Sequence, residues 1–153
     1  MPVTADRYHD ISCGHRVVGH EGKCRFLHGH NYRIHFSIQA ESLDEIGRVL
    51  DFGAIKSNLC MWLEENWDHK FLVWNEDDII HDIFAQYSDG LEPIPFELYE
   101  SFVFVPFNPT AENMAEYLTL VIGPHQLEGT GCTLVKTIIE ETRKCSVSYY
   151  KEH

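Results

Sequence analysis

The sequence predicts an α+β fold, a four-stranded antiparallel sheet with two helices on one of its faces. Three observations carry the prediction. Strand-like segments at 7–17 and 29–40 are joined by a glycine-containing turn. Two stretches, near 53–66 and 108–122, carry apolar stripes at helical spacing. A second strand pair, 132–141 and 145–150, follows the last of them. Hairpins connected through helices favour antiparallel pairing with the helices gathered on one face. A chain of 153 residues has room for one domain with a real core, and neither a repeat nor a linker divides it.

Taken in order, the first strand ends near His15, and Gly19-His20-Glu21-Gly22-Lys23 has the glycines of a turn. In the second strand Tyr32, Ile34, Phe36 and Ile38 share one face. By the same alternation His28 and His30 project on that face, and His35 projects on the other as a satisfied polar residue. The polar segment Glu41–Arg48 is a connection. Ile55, Leu59 and Trp62 mark the first helix, with Glu64 and Glu65 turned to solvent.

Residues 76–100 are acidic and broken by Asp89-Gly90 and by Pro93-Ile94-Pro95. The whole stretch 76–107 reads as a variable excursion from a single domain spanning 1–153, with a short strand expected at Phe102–Val105. The second helix opens with Asn108 or Thr110 as cap, Pro109 in the first turn and Glu112 against the helix dipole. Ala111, Met114, Ala115, Leu118, Val121 and Ile122 form its apolar stripe, and Gly123-Pro124 is expected to stop it. Strand 132–141 then places Thr133, Val135, Thr137, Ile139 and Glu141 on one face, with Glu141 at the strand's end.

Composition narrows the function classes. The net charge of −12 argues against a general nucleic-acid surface. The charge is uneven: residues 1–36 carry +2 and the remainder −14, so the histidine-bearing part is the least acidic and suits an anionic small substrate. Solvated basic residues on a hairpin are the plainer explanation. No apolar run is long enough to span a bilayer, and Met1–Arg7 lacks the apolar core of a signal peptide. Cys13, Cys24, Cys60, Cys132 and Cys145 are odd in number and irregularly spaced, which fits a reducing cytoplasm better than a disulfide framework.

The chemistry concentrates between Cys24 and His35. His28 and His30, two residues apart on one strand face, can reach one metal ion, and His15 on the preceding strand can supply a third imidazole. Three histidines leave a fourth tetrahedral position of zinc open, as catalysis requires. Cys24 is either a free thiol beside that metal or the fourth ligand of a closed structural site, and spacing does not separate the two. Asp68-His69, after the first helix, is either an ordinary surface pair or an orienter and base.

An ordered set of segments now resembles a known family. The segments are Ser12-Cys13-Gly14-His15-Arg16, Gly22-Lys23-Cys24, Leu27-His28-Gly29-His30-Asn31-Tyr32, Val49-Leu50-Asp51-Phe52 with Lys56, Asp68-His69, Pro109-Thr110-Ala111-Glu112-Asn113, and Glu141-Thr142 with Tyr149. Together they are similar to the 6-pyruvoyl-tetrahydropterin synthase superfamily, and within it to the 6-carboxy-tetrahydropterin synthases of queuosine biosynthesis. The three residues between Cys24 and His28 match that branch, since the pyruvoyl branch places more there. Departures are Cys13 and Gly14 where small Ala or Ser is usual, Trp67 for a usual Leu, and the long 76–107 stretch.

The resemblance implies a tunnelling fold, with sheets joined around a trimer and two trimers stacked into a hexamer. It implies His15, His28 and His30 as zinc ligands, Cys24 as catalyst rather than ligand, and Asp68 with His69 as an acid-base pair supplied across a subunit boundary. Glu141 would anchor the pterin, and Lys23, Arg25 and Arg16 are candidates for the triphosphate. The implied reaction converts 7,8-dihydroneopterin triphosphate to 6-carboxy-5,6,7,8-tetrahydropterin, acetaldehyde and triphosphate. The rivals are 6-pyruvoyl-tetrahydropterin synthase and a silent zinc- or pterin-binding module on the same fold.

Overall fold

A computed structural model of the chain describes residues 3–88 and 92–152. Asp89-Gly90, expected as a breaker, lies outside the described residues. The strands are β1 (Thr4–His15), β2 (His28–Ala40), β3 (Lys70–Trp74), β4 (Phe102–Val105), β5 (Cys132–Glu140) and β6 (Ser146–Tyr150). The helices are α1 (52–66), α2 (Asp78–Ser88), α3 (Phe96–Ser101) and α4 (111–126). All six strands form one sheet in the order β4-β3-β1-β2-β5-β6.

The four-stranded antiparallel expectation is therefore corrected. The strands β1, β2, β5 and β6 pair antiparallel as expected, but β3 and β4 extend the sheet in parallel. The run Lys70-Phe-Leu-Val-Trp74 begins immediately after Asp68-His69 and joins only the end of β1, at Cys13, Gly14 and His15. Parallel neighbours require a crossover, and the 76–107 stretch supplies it through α2 and α3. What reads in the sequence as an excursion is thus an extension of the sheet.

Strand alternation builds the core. Ile11, Cys13, Tyr32, Ile34, Phe36 and Ile38 are buried on one face. They meet Ile55, Leu59 and Leu63 of α1 and Met114, Ala115 and Leu118 of α4. The opposite face is polar: Arg33 pairs with Asp10, and His35 pairs with Glu140, in keeping with its expected satisfied role. Trp67 fills the core between Trp62 and Tyr117.

Two local expectations are revised. The β2–β5 pairing shifts register between Ser37 and Ile38, which pair with Lys136 and Leu134, so Val135 is an extra residue. This bulge reverses the alternation: Leu134, Thr137 and Ile139 are buried, whereas Thr133 is exposed. Second, α4 does not stop at Gly123-Pro124 but runs on to Gln126. Its middle turn, Leu118–Ile122, is a π segment, and these wider turns accommodate a proline ring that offers no amide to the ladder. Gly123 serves close packing, since a Cβ there would lie 2.8 Å from Leu134. Thr110 caps α4 by accepting a hydrogen bond from the Asn113 amide.

The α4–β5 contact contains one buried polar link. The Thr119 hydroxyl is 2.8 Å from both the Ala115 carbonyl and the Thr137 hydroxyl. Thr137→Val should cost about 0.5–1.5 kcal/mol by removing the hydrogen bond between the two elements, since the Thr119 hydroxyl keeps the Ala115 carbonyl as a partner, and Thr119→Val/Thr137→Val should lose less than the sum of the two single variants. Urea denaturation of both single variants and the double variant checks this. Additive losses in the double variant would remove the coupling.

Candidate metal centre and active site

The pairing of β1 with β2 sets His15 directly opposite His28 and Cys13 opposite His30. The three rings converge at the end of the core face, with centroids 4.5 Å (His15–His28), 5.2 Å (His15–His30) and 5.0 Å (His28–His30) apart. One nitrogen from each lies within 4.8 Å of the others. The Nδ1–H of His15 donates to the Pro109 carbonyl at 2.6 Å, and that of His28 to the Phe26 carbonyl at 2.7 Å. These bonds fix the tautomer and leave Nε2 as the lone-pair nitrogen.

The Nε2 atoms of His28 and His30 are buried without a hydrogen-bond partner. Buried polar atoms are seldom left so, and a metal ion would satisfy both. A set of three imidazole nitrogens, with the tautomers of His15 and His28 clamped, fits a metal ion such as zinc. Burial lowers the His15 pKa to about 4, against the Pro109 bond that favours the charged ring; His28 and His30 lower it further. Burial also lowers that of His30, with Glu141 acting in the other direction. His15 and His30 are thereby held toward the neutral, metal-binding form.

Glu141 lies over this cluster, with Oε1 3.6 Å from His15 Nε2 and 3.5 Å from His30 Nε2. Its amide donates to the Cys145 carbonyl, so the tight β5–β6 connection holds it there. Tyr32, which sequence reasoning assigned to packing alone, places its hydroxyl 3.2 Å from His15 Nε2. Burial, then the charges of Glu141, Cys13 and Cys24, push its phenol pKa up. A tyrosine two residues beyond the second histidine on the same strand face must project beside it, and that signal was available in the sequence.

Cys24 is half-buried in the 3₁₀ turn Lys23–Arg25, which leads through Phe26 and Leu27 into His28 at the start of β2. Its carbonyl accepts from the Val17 amide at 2.8 Å. Lys23 is exposed. Arg25 turns back on its own loop, donating to the Glu21 and Gly22 carbonyls and lying over the Phe26 ring. Arg16 differs from expectation. Its Nε and Nη2 donate to the two carboxylate oxygens of Asp77 at 2.7 and 2.9 Å, and its Nη1 to the Arg25 carbonyl at 2.8 Å. A guanidinium so engaged is part of the frame rather than a free anion hook. Asp77 lies in the 76–107 stretch read from the sequence as an excursion.

Asp68 and His69 form a separate pair. Asp68 Oδ1 accepts the Ser12 amide at 2.9 Å, and its Oδ2 is 2.8 Å from His69 Nδ1. Partial burial opposes ionisation of Asp68, but the Ser12 amide and the His69 ring outweigh it and lower its pKa. His69 is 81% exposed, has φ +60° and donates its amide to the Ser12 carbonyl. A left-handed conformation in a non-glycine residue is a mark of functional positions. The pair borders a cleft of about 610 Å³ with Asp10, Ser12, Asn31 and Arg33. Those four side chains have the opposite strand parity to His15, His28 and His30. Within one chain, then, the triad gathers with Glu141 and Tyr32, while the Asp68–His69 pair sits on the other face of the sheet.

Residues 4–152 match the family model of 6-pyruvoyl tetrahydropterin synthase. The chain is 33% identical over 145 residues to the 6-carboxy-5,6,7,8-tetrahydropterin synthase of Rickettsia felis, covering 95% of this chain and 98% of that one. Identity to the protein of the same name from Rickettsia typhi is 32% over 145 residues, with the same coverage. Among solved structures, an uncharacterized protein of Wolinella succinogenes superposes with TM-score 0.85 at 24% identity, over 98% of each chain. The 6-pyruvoyl tetrahydropterin synthase of Caenorhabditis elegans gives TM-score 0.65 at 24% identity, over 99% of this chain and 98% of that one. Matched almost end to end by the family model and by these relatives, the chain belongs to the 6-pyruvoyl tetrahydropterin synthase family of enzymes.

Proposed function

We propose that this enzyme converts 7,8-dihydroneopterin triphosphate and one water to 6-carboxy-5,6,7,8-tetrahydropterin, acetaldehyde and triphosphate, in the queuosine route and in the cytoplasm. The observation that carries the reading is the histidine triad with its two orphaned Nε2 atoms, set under Glu141. Full-length similarity to proteins named 6-carboxy-5,6,7,8-tetrahydropterin synthase supports the choice of branch. All five cysteines are free, which suits a reducing compartment. Among the described residues no helix is long and apolar enough to cross a membrane.

His15, His28 and His30 would hold zinc, one ion per chain. When bound, it would lower the pKa of substrate hydroxyls. Cys24 takes a proton from the substrate side chain and returns it as the carbon skeleton changes. Asp68 holds the His69 ring through Nδ1 and leaves Nε2 to exchange the second proton. Glu141, acceptor-only when ionised, receives the adjacent N–H and amino donors of the pterin. Exposed Lys23, at the same turn as Cys24, would meet the triphosphate.

The active enzyme is a homo-oligomer, a dimer of trimers. Two features support this. Catalytic groups on opposite faces of one sheet meet only if a second copy contributes one of them. In addition, β3 covers β1 only at Cys13–His15, so the rest of that edge, like the outer edge of β6, is available to pair with another copy.

Mass spectrometry of the products formed by the zinc-loaded enzyme tests the proposal. A carboxy-tetrahydropterin with acetaldehyde is expected; a 6-pyruvoyl product would move the chain to the sister reaction, and absence of turnover with zinc bound would leave only a binding module. Cys24→Ala should keep about one zinc per chain while kcat falls at least ~100-fold. His28→Ala should lose the metal, measured by elemental analysis.

Metal-free protein should also respond to acid. The ordinary His15 value of 6.5 falls to about 4 on folding. The neutral ring's contribution is thus complete above about pH 6.5 and is lost as pH falls toward about 4. Calorimetry should show Tm falling across that window, and less steeply in His15→Gln.

A further inference from the structure

The crossover from β3 to β4 reaches into the site through one ion pair. Asp77 stands at the end of β3, where its amide donates to the Trp74 carbonyl at 2.9 Å. Its carbonyl accepts from His81 and its Oδ1 from the Ile80 amide, so it is also fixed to the first turn of α2. Its side chain is 1% exposed and that of Arg16 is 12% exposed. Arg16 follows the first histidine and grips Asp77 with Nε and Nη2, while its Nη1 holds the Arg25 carbonyl. The next residue, Val17, holds the Cys24 carbonyl with its amide. Two successive carbonyls of the Cys24 turn are thus tied to the two residues after His15, and the first of those is tied to Asp77.

We infer that Arg16 and Asp77 are positioning residues, which fix the Cys24 turn relative to the histidine cluster by bracing it against β3 and α2. The inference rests on reading Cys24 as the acid-base group. Its physical basis is the planar guanidinium, which serves a carboxylate on one side and a carbonyl on another at the same time. A lysine in its place keeps the charge but cannot span both. The bracing is distinct from ordinary core stability because the turn is held by hydrogen bonds and not by burial. Lys23 and Arg25 are exposed, no residue of the turn is buried, and Cys24 is half-buried. The histidines, in contrast, have their own clamps on Pro109 and Phe26, so the metal site should survive loss of the brace.

The test uses the full-length, zinc-loaded enzyme and its variants Asp77→Asn and Arg16→Lys. Iodoacetamide labelling is followed peptide by peptide, with exposed Cys145, on the β5–β6 connection, as the internal reference. Both variants should retain zinc. Freed from the brace, the Cys24 thiol should label about threefold or more faster relative to Cys145. The kcat should fall about tenfold with KM nearly unchanged, the signature of a displaced reacting group. If Asp77→Asn does not fold, Arg16→Lys, which keeps the ion pair, decides alone. A wild-type labelling ratio and wild-type kcat, even with a lowered Tm, would overturn the inference and leave the pair as fold stabilisation only. Full turnover in Cys24→Ala would instead remove the role of Cys24 itself, while the labelling ratio would still report whether the turn is braced.

Discussion

The pairing of β1 with β2 is the constraint on which the site depends. Strand side chains alternate, so a slip of one residue would send His28 and His30 to the open face and bury Asn31 and Arg33. The register is held by the apolar members of the same faces, Ile11 and Cys13 on one strand and Tyr32, Ile34, Phe36 and Ile38 on the other. Gly14 sits opposite Gly29 within the ladder. A Cβ on Gly14 would lie 2.6 Å from the Phe71 ring, and one on Gly29 would lie 3.2 Å from the Cys13 carbonyl. These two glycines allow β3 and its aromatic residue to close on the end of the hairpin that carries the ligands.

This arrangement also decides how the basic charge near the N-terminus is used. Residues 1–36 are the least acidic part of the chain, which in the sequence suggests attraction of an anionic substrate. In the structure Arg33 is paired with Asp10, Arg16 with Asp77, and Arg25 with its own loop carbonyls. Arg16 and Arg33 are thus neutralised by carboxylates, and Lys23 and Arg25 are the exposed cations of the turn. A substrate carrying several negative charges would need cations beyond these.

What was legible in the sequence follows from short-range patterning. The four antiparallel strands, α1 and the start of α4 fall within a few residues of expectation, because alternation and a helical stripe are local signals. The histidine triad was legible for the same reason, since parity on two paired strands fixes which side chains share a face. Non-local events were not. The strand β3 pairs with only three residues of β1, and no feature of Lys70–Trp74 announces that contact. The bulge at Val135 depends on the β2–β5 register, and the run of α4 past Pro124 depends on a π segment fitted to the sheet beneath it. The pairing of Arg16 with Asp77 was not legible, because the partner lies sixty-one residues away in the stretch where pattern fails.

The loop from Arg16 to Leu27 shows why that failure bears on catalysis. It contains little regular structure, yet it is tied from several sides. Asn108, at the approach to α4, accepts the Val18 amide and donates to the Val18 carbonyl. Asp77 holds Arg16, Arg16 holds Arg25, and the Phe26 carbonyl orients His28. Each tie comes from a different part of the chain, so the loop takes its shape from the assembled sheet and helices and not from its own residues. An acid-base thiol is effective only at a fixed distance and direction from the atom it serves. Placing it on a turn allows close approach to a substrate, and the ties then supply the rigidity that a turn lacks. On this argument the crossover through α2 and α3, although remote in sequence from Cys24, belongs to the framework that holds it.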